Sequence, residues 1–200
     1  MARPRAFDEA KVLDAAAGEF RVHGFAETST EQLCEAAGVR RSSLYNAFES
    51  KDELFVRALE HYVQVTGEAQ EQVLTNQSLS GQERIEGLME LILGEEADAS
   101  SAGHAAGCMT VQSYMDPKLR QADPRITRIL DRGRERQLSL MQQALRVGQT
   151  DGTLRADFTV EDAAGLLLTL ISGIRVAAQA GSPLEELQRM TSLALRTLTT

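Results

Sequence analysis

The densest group of side chains able to read another molecule lies between positions 41 and 48. Arg41, Ser42, Tyr45 and Asn46 fall on the outward side of a short predicted helix, and Leu44 and Phe48, four residues apart, form its inner side. An arginine can take guanine with two hydrogen bonds, and an asparagine can do the same with adenine. Serine, tyrosine and lysine commonly serve phosphates. A second candidate is Cys108, which follows the run Ser101-Ala102-Gly103-His104-Ala105-Ala106-Gly107 and opens another short predicted helix. Thiols at helix N-termini, near a protonated histidine such as His104, are the reactive kind. A lone cysteine in an apolar wall is instead a small hydrophobe. Catalytic arrangements are not evident. His23, His61 and His104 share no metal-ligand spacing with each other or with Cys34 and Cys108. His104 with Cys108 could form a nucleophile pair, but no third group is placed to orient it. The chain therefore reads as a binding protein, not an enzyme, with no cofactor.

These side chains need helices to hold them, and the sequence predicts an all-α fold: apolar residues recur at three- and four-residue steps and proline is scarce. The first helix runs from about Phe7 to His23, with Gly24 as its C-terminal stop. Ser29-Thr30-Glu31-Gln32 fits a capping box for a second helix with Leu33, Cys34 and Ala37 inside. Gly38-Val39 breaks the chain before the helix at 41–48. Two short helices around a glycine turn have the spacing of a helix-turn-helix, whose second member enters the DNA major groove. The same pattern occurs in helical bundles that bind no DNA. Further helices are predicted from Ser50-Lys51-Asp52-Glu53 to Leu74, from Ser80 to Leu93, from Cys108 to Met115, and from Asp123-Pro124 to Gly148. Residues 94–106 read as a loop and Asp151-Gly152 as a turn. A helix over 160–180 is apolar nearly all round. Ser182-Pro183-Leu184-Glu185 caps a last one with the stripe Leu187, Met190, Leu193, Ala194 and Leu198.

The net charge of −8 argues against nucleic acid at first sight. Residues 1–57 carry −2, so the region with the helix-turn-helix spacing is not basic as a whole. DNA binding then requires Arg3, Arg5, Arg40, Arg41 and Lys51 to gather on one surface while the acids face elsewhere. No apolar run approaches the length of a membrane span, and no secretion signal is read at the start. Two cysteines make no disulfide framework and fit a reducing cytoplasm.

The order of residues narrows the choice. The stretch His23-Gly24-Phe25, then Thr28-Ser29-Thr30-Glu31-Gln32-Leu33-Cys34-Glu35-Ala36-Ala37-Gly38-Val39, then Leu44-Tyr45-Asn46-Ala47-Phe48-Glu49-Ser50-Lys51-Asp52-Glu53-Leu54 resembles the N-terminal domain of TetR-family repressors. The Ala-Gly-Val turn, the Leu-Tyr-x-x-Phe helix and the following Ser-Lys-x-x-Leu are its most specific marks. The resemblance implies that Tyr45, Lys51 and Thr28 or Ser29 hold phosphates. It implies that Arg41, Ser42, Ser43 and Asn46 face base edges or nearby phosphates. Two positions depart from the pattern: Arg40 stands where a small N-cap is common, and Cys34 where a buried alanine is usual. Cys34 is read as inert packing. The expected layout is a helix-turn-helix domain over 1–52 and a helical-bundle ligand-binding and dimerisation domain over 53–200.

The C-terminal part is less explicit. An all-round apolar helix at 160–180 needs cover on several faces, and pairing it and helix 183–198 across a two-fold would make a four-helix homodimer interface. The core of a monomer is the alternative. By resemblance, the preceding helices enclose a pocket for a small-molecule inducer, with Met89, Leu93, Cys108, Met109, Gln112, Met115, Met141, Ile171 and Arg175 as candidates. Methionines suit an adaptable cavity but also fill ordinary cores. Arg175 interrupts an apolar helix and must meet an anionic ligand, an internal glutamate or solvent. The run Gly107-Cys108-Met109-Thr110-Val111 with the later Asp131-Arg132-Gly133 resembles a subgroup that senses electrophiles or oxidants. The function expected is a ligand-responsive repressor on a palindromic operator. A helical protein-interaction adaptor is the competing class, separable by the salt dependence of DNA binding.

Overall fold

The structure, a computed structural model, describes residues 8–101 and 107–199. Phe7, Arg3, Arg5 and His104, all invoked above, lie outside the described residues. The described chain is all-α: α1 (Glu9–Glu27), α2 (Thr30–Ala37), α3 (Arg41–Phe48), α4 (Lys51–Leu74), α5 (Gly81–Ser101), α6 (Met109–Met115), α7 (Pro117–Ala122), α8 (Pro124–Asp151), α9 (Val160–Gln179) and α10 (Leu184–Leu195). A single isolated bridge, Leu154 to Thr199, is the only β pairing among these residues.

The helix starts follow the local chemistry. Ser29 accepts from the Gln32 amide and Gln32 returns a bond to Ser29 N, completing the capping box of α2. Asp123 caps α8 with Pro124 in its first turn, as read from the sequence. Gly24 breaks α1 at φ 76° and ψ 168°, a conformation that a side chain disfavours. Arg40 offers α3 no side-chain cap.

Four sequence expectations need correction. α5 continues past Leu93 to Ser101, because Glu95 and Glu96 hold its inner side by pairing with Arg175, which an apolar periodicity does not register. α7 was not expected; Asp116 caps it by accepting from Leu119 N at 3.0 Å, with Pro117 at its first position. α10 begins after Pro183 with no side-chain cap, not at Ser182. It ends at Leu195, and Leu198 is buried from the turn that follows, its carbonyl accepting from Arg155 N.

Two apolar clusters fill the interior. The first joins α1 to the start of α4 with Met109, Leu119 and Ile126 to Leu130, so α6, α7 and the start of α8 pack directly on the N-terminal helices. The second joins the end of α4 to α5, α8, α9 and α10. α4 belongs to both, with Leu54 to Tyr62 in the first and Leu74 in the second. α5 and α8 approach closely where Gly81 meets Gly148; a Cβ on Gly81 would collide with the Gly148 backbone.

Candidate nucleic-acid interface and ligand cavity

α3 buries Leu44 and Phe48 and turns Arg41, Ser42 and Asn46 outward, with Ser43 and Tyr45 half-buried at the edges. Arg40 stands exposed just before it. The orientation of this row is fixed from below. Tyr45 shares a hydrogen bond of 3.1 Å with Thr30 on α2, and the Arg41 guanidinium lies 5.5 Å from the Tyr45 ring centroid while bonding Glu31 at 2.8 Å. Arg41 is thus held ready, and its partner Glu31 is an exposed carboxylate that phosphate or a base edge can displace.

Three of the residues singled out from the sequence have structural duties. Thr28 is buried, and its hydroxyl donates to the Gly24 carbonyl at 2.6 Å, so it has no free face for a phosphate. Ser29 remains exposed but its side chain caps α2. The Lys51 ammonium donates to the carbonyls of Phe25 (2.8 Å) and Thr28 (3.0 Å) and sits over the Phe25 ring. Lys51 thereby ties the α1–α2 turn to the start of α4. Cys34 is half-buried against the first cluster, and burial pushes its thiol up, with Arg41 opposing and Glu31 reinforcing the shift.

A cavity of about 860 Å³ lies between α4, α8 and α9 with α6 across one end. Of the nine ligand candidates, Cys108, Met115, Ile171 and Arg175 line it. Met89 and Met141 are instead fully buried in the second cluster and Leu93 packs against it, because a helical apolar stripe does not distinguish core from cavity wall. Met109 and Gln112 line a smaller cleft between α6 and the end of α1. The sequence reading missed Tyr62, Gln70, Ile129 and Leu140 on the wall; Tyr62, Val63, Thr66, Gly67 and Gln70 recur at helical spacing along one face of α4.

Arg175 resolves to internal carboxylates. It is 3% exposed and pairs with Glu95 and Glu96 from α5, while its Nε has no partner among the described residues. Burial opposes its charge; Glu95 overrides this, with further support from Cys108, Tyr62 and Glu96, and the guanidinium is held cationic. Beside it, the Tyr62 hydroxyl donates to Cys108 Sγ at 3.7 Å, and burial pushes that phenol far above its usual range. Cys108 is the N-cap residue of α6 and is half-buried, so its sulfur faces a hydroxyl donor and a cation at the cavity end.

This end of the cavity is wired to the recognition unit. Arg21 on α1 donates from Nε to the Gly107 carbonyl at 3.0 Å and stacks on the Tyr62 ring, and Gln112 donates back to the Arg21 carbonyl at 2.8 Å. A Cβ on Gly107 would displace the Gln112 and Gln179 carboxamides.

Comparison with known proteins agrees with this architecture. Residues 12–58 match the family model of bacterial regulatory proteins of the tetR family. The chain is 28% identical over 195 residues to the HTH-type transcriptional repressor ComR of Escherichia coli (strain K12), covering 97% of this chain and 90% of that one. It is 33% identical to a cysteine mutant of the TetR family transcriptional regulator CifR, solved with 26-bp double-strand operator DNA, with a TM-score of 0.76 and 97% and 98% of the two chains covered. The reduced form of Escherichia coli NemR, at 22% identity over 97% and 98% of the two chains and a TM-score of 0.77, shares the fold. The chain belongs to the TetR family of bacterial regulatory proteins.

Proposed function

We propose that this protein is a homodimeric transcriptional repressor that binds a palindromic operator and leaves it when a small molecule enters the cavity between α4, α8 and α9. The observation that carries this reading is the exposed donor row of α3, Arg41, Ser42 and Asn46, on a unit whose α1 is bonded to the cavity wall through Arg21 and Gly107. In this reading residues 1–52 bind DNA and residues 53–200 bind ligand and partner. Arg40, Ser43 and Tyr45 flank the reading face, Ser29 offers a phosphate contact at the start of α2, and Lys51 holds the turn beneath.

The dimer forms through α9 and α10. Leu166, Val176, Met190 and Leu193 are exposed there, the last at 61%, which is costly for large apolar side chains grouped on two neighbouring helices. The two free cysteines and the absence of any described helix long and apolar enough to cross a membrane are compatible with work in the cytoplasm.

The relatives strengthen the repressor reading: ComR is a transcriptional repressor and CifR has been solved on its operator. The experiment is a salt titration of binding to DNA fragments selected from the source genome. A repressor loses affinity steeply as salt rises, since phosphate neutralisation releases counterions. Flat salt dependence, or no enriched fragment, would favour the adaptor reading.

The inducer acts either non-covalently or as an electrophile at Cys108. The thiol's place at the cavity end, bonded by Tyr62, favours adding the second route. N-ethylmaleimide should then release wild-type protein and the Cys34→Ser variant but not Cys108→Ser. Release of Cys108→Ser at wild-type doses leaves only the non-covalent route.

A further inference from the structure

Gln70 is an unexplained polar group. It lies on α4, is 9% exposed, and lines the cavity. Its carboxamide has no hydrogen-bond partner among the described residues. A glutamine offers two N–H donors and a carbonyl acceptor, and a ligand that displaces water from the cavity must replace the hydrogen bonds that water gives it. Leu74, one turn further along α4, belongs to the second apolar cluster.

The surroundings define what can meet it. From Tyr62 to Gln70 is eight residues of α4, about 12 Å at the rise of an α-helix. The wall between them is apolar, formed by Val63, Ile92, Ile129, Leu140, Leu168 and Ile171. Gly67, one turn before Gln70, has no side chain, and a Cβ there would lie 3.4 Å from Arg136 Nη1. Of the arginines on the open side of the wall, Arg136 pairs with Glu71 and Arg132 with Glu60, and Arg134 is exposed to solvent. At the far end two carboxylates, Glu95 and Glu96, already enclose Arg175. A carboxylate reaching the Arg175 end meets two carboxylates already bonded to its one buried cation. An ammonium finds no free carboxylate at Gln70. Desolvating either ion without a partner is costly.

We infer that Gln70 is the polar anchor of the cavity and that the inducer is an uncharged amphipath: an apolar body lying along α4 toward Tyr62, with a terminal amide, carbonyl or hydroxyl bonded to the Gln70 carboxamide. This rests on the reading of the cavity as the inducer site.

Calorimetric titration of the intact protein with octanamide, octanoate and octylammonium tests it, with operator binding followed separately by fluorescence anisotropy. Octanamide should bind at least about ten-fold more tightly than either ion, the equivalent of one buried hydrogen bond or more. Gln70→Leu should lose about that factor for octanamide, and Gln70→Glu should shift preference to octylammonium. Equal or tighter binding of octanoate or octylammonium to the wild type overturns the inference. So does wild-type octanamide affinity in Gln70→Leu, or no octanamide binding up to its solubility limit. Octanamide that binds through Gln70 yet leaves the operator complex intact supports the anchor and rejects the inducer reading.

Discussion

Arg21 and Gly107 are joined by a 3.0 Å hydrogen bond, from a guanidinium on the first helix to the carbonyl that precedes Cys108. The same guanidinium covers the ring of Tyr62, whose hydroxyl bonds the Cys108 sulfur. One residue of the N-terminal unit therefore touches both the wall of the cavity and the segment that shapes its end. Movement of Tyr62 or of the start of α6 must either carry α1 with it or break these contacts.

Ligand and operator should therefore oppose each other through Arg21. By linkage, operator DNA weakens ligand binding by the same factor as ligand weakens operator binding. Arg21→Leu should leave operator affinity of the ligand-free protein close to wild type and reduce the coupling by about 0.5–2 kcal/mol, the range for residues that connect two sites. Titrating operator with and without inducer measures both. Unchanged coupling in Arg21→Leu would remove Arg21 from the connection.

Arg41 and Asn46 should set base preference. Each alanine variant should cost about 1–3 kcal/mol at one defined operator position and relax specificity there. Competition binding with single-base operator variants reads this. A uniform loss across all variants would assign the side chain to phosphate instead.

Lys51 has a different expectation, because two of its three N–H groups are engaged with Phe25 and Thr28. Lys51→Met should lower stability by about 1.5–3 kcal/mol, the value of a charge-assisted hydrogen bond. Denaturant unfolding at fixed protein concentration checks it. If the remaining N–H also meets a phosphate, the slope of log affinity against log salt falls by about one unit; an unchanged slope leaves Lys51 as a brace alone.

The Glu95–Arg175–Glu96 cluster predicts unequal costs. Arg175→Leu leaves two carboxylates without their cation and should destabilise by about 3–5 kcal/mol. Glu96, at 5% side-chain exposure, should matter more than Glu95, at 25%. Thermal unfolding of Arg175→Leu, Glu95→Gln and Glu96→Gln orders them. Wild-type stability in Arg175→Leu would show that the carboxylates find other partners.

What the sequence disclosed depended on how local the signal was. The helix-turn-helix was legible because its marks are local: the Ser29–Gln32 box, Gly38 and the Leu44–Phe48 pair are set by neighbours within a few residues. The bracing role of Lys51 was not, since it depends on carbonyls more than twenty positions away. The ligand cavity was least legible. Met141 and Ile171 both belong to the second apolar cluster, yet only Ile171 also lines the cavity, a difference made by how α4, α8 and α9 splay. α5 was cut short for the related reason that its last inward groups are acids whose partner, Arg175, is some eighty positions away.

The central claim is that two copies of the α3 face act together on one DNA site. Affinity for the selected operator should be compared with affinity for the same duplex carrying one scrambled half-site. The account predicts an inverted repeat whose scrambled form loses most of the specific affinity, because a two-fold dimer presents two equivalent recognition helices. Equal binding to the intact operator and to the single half-site would contradict it.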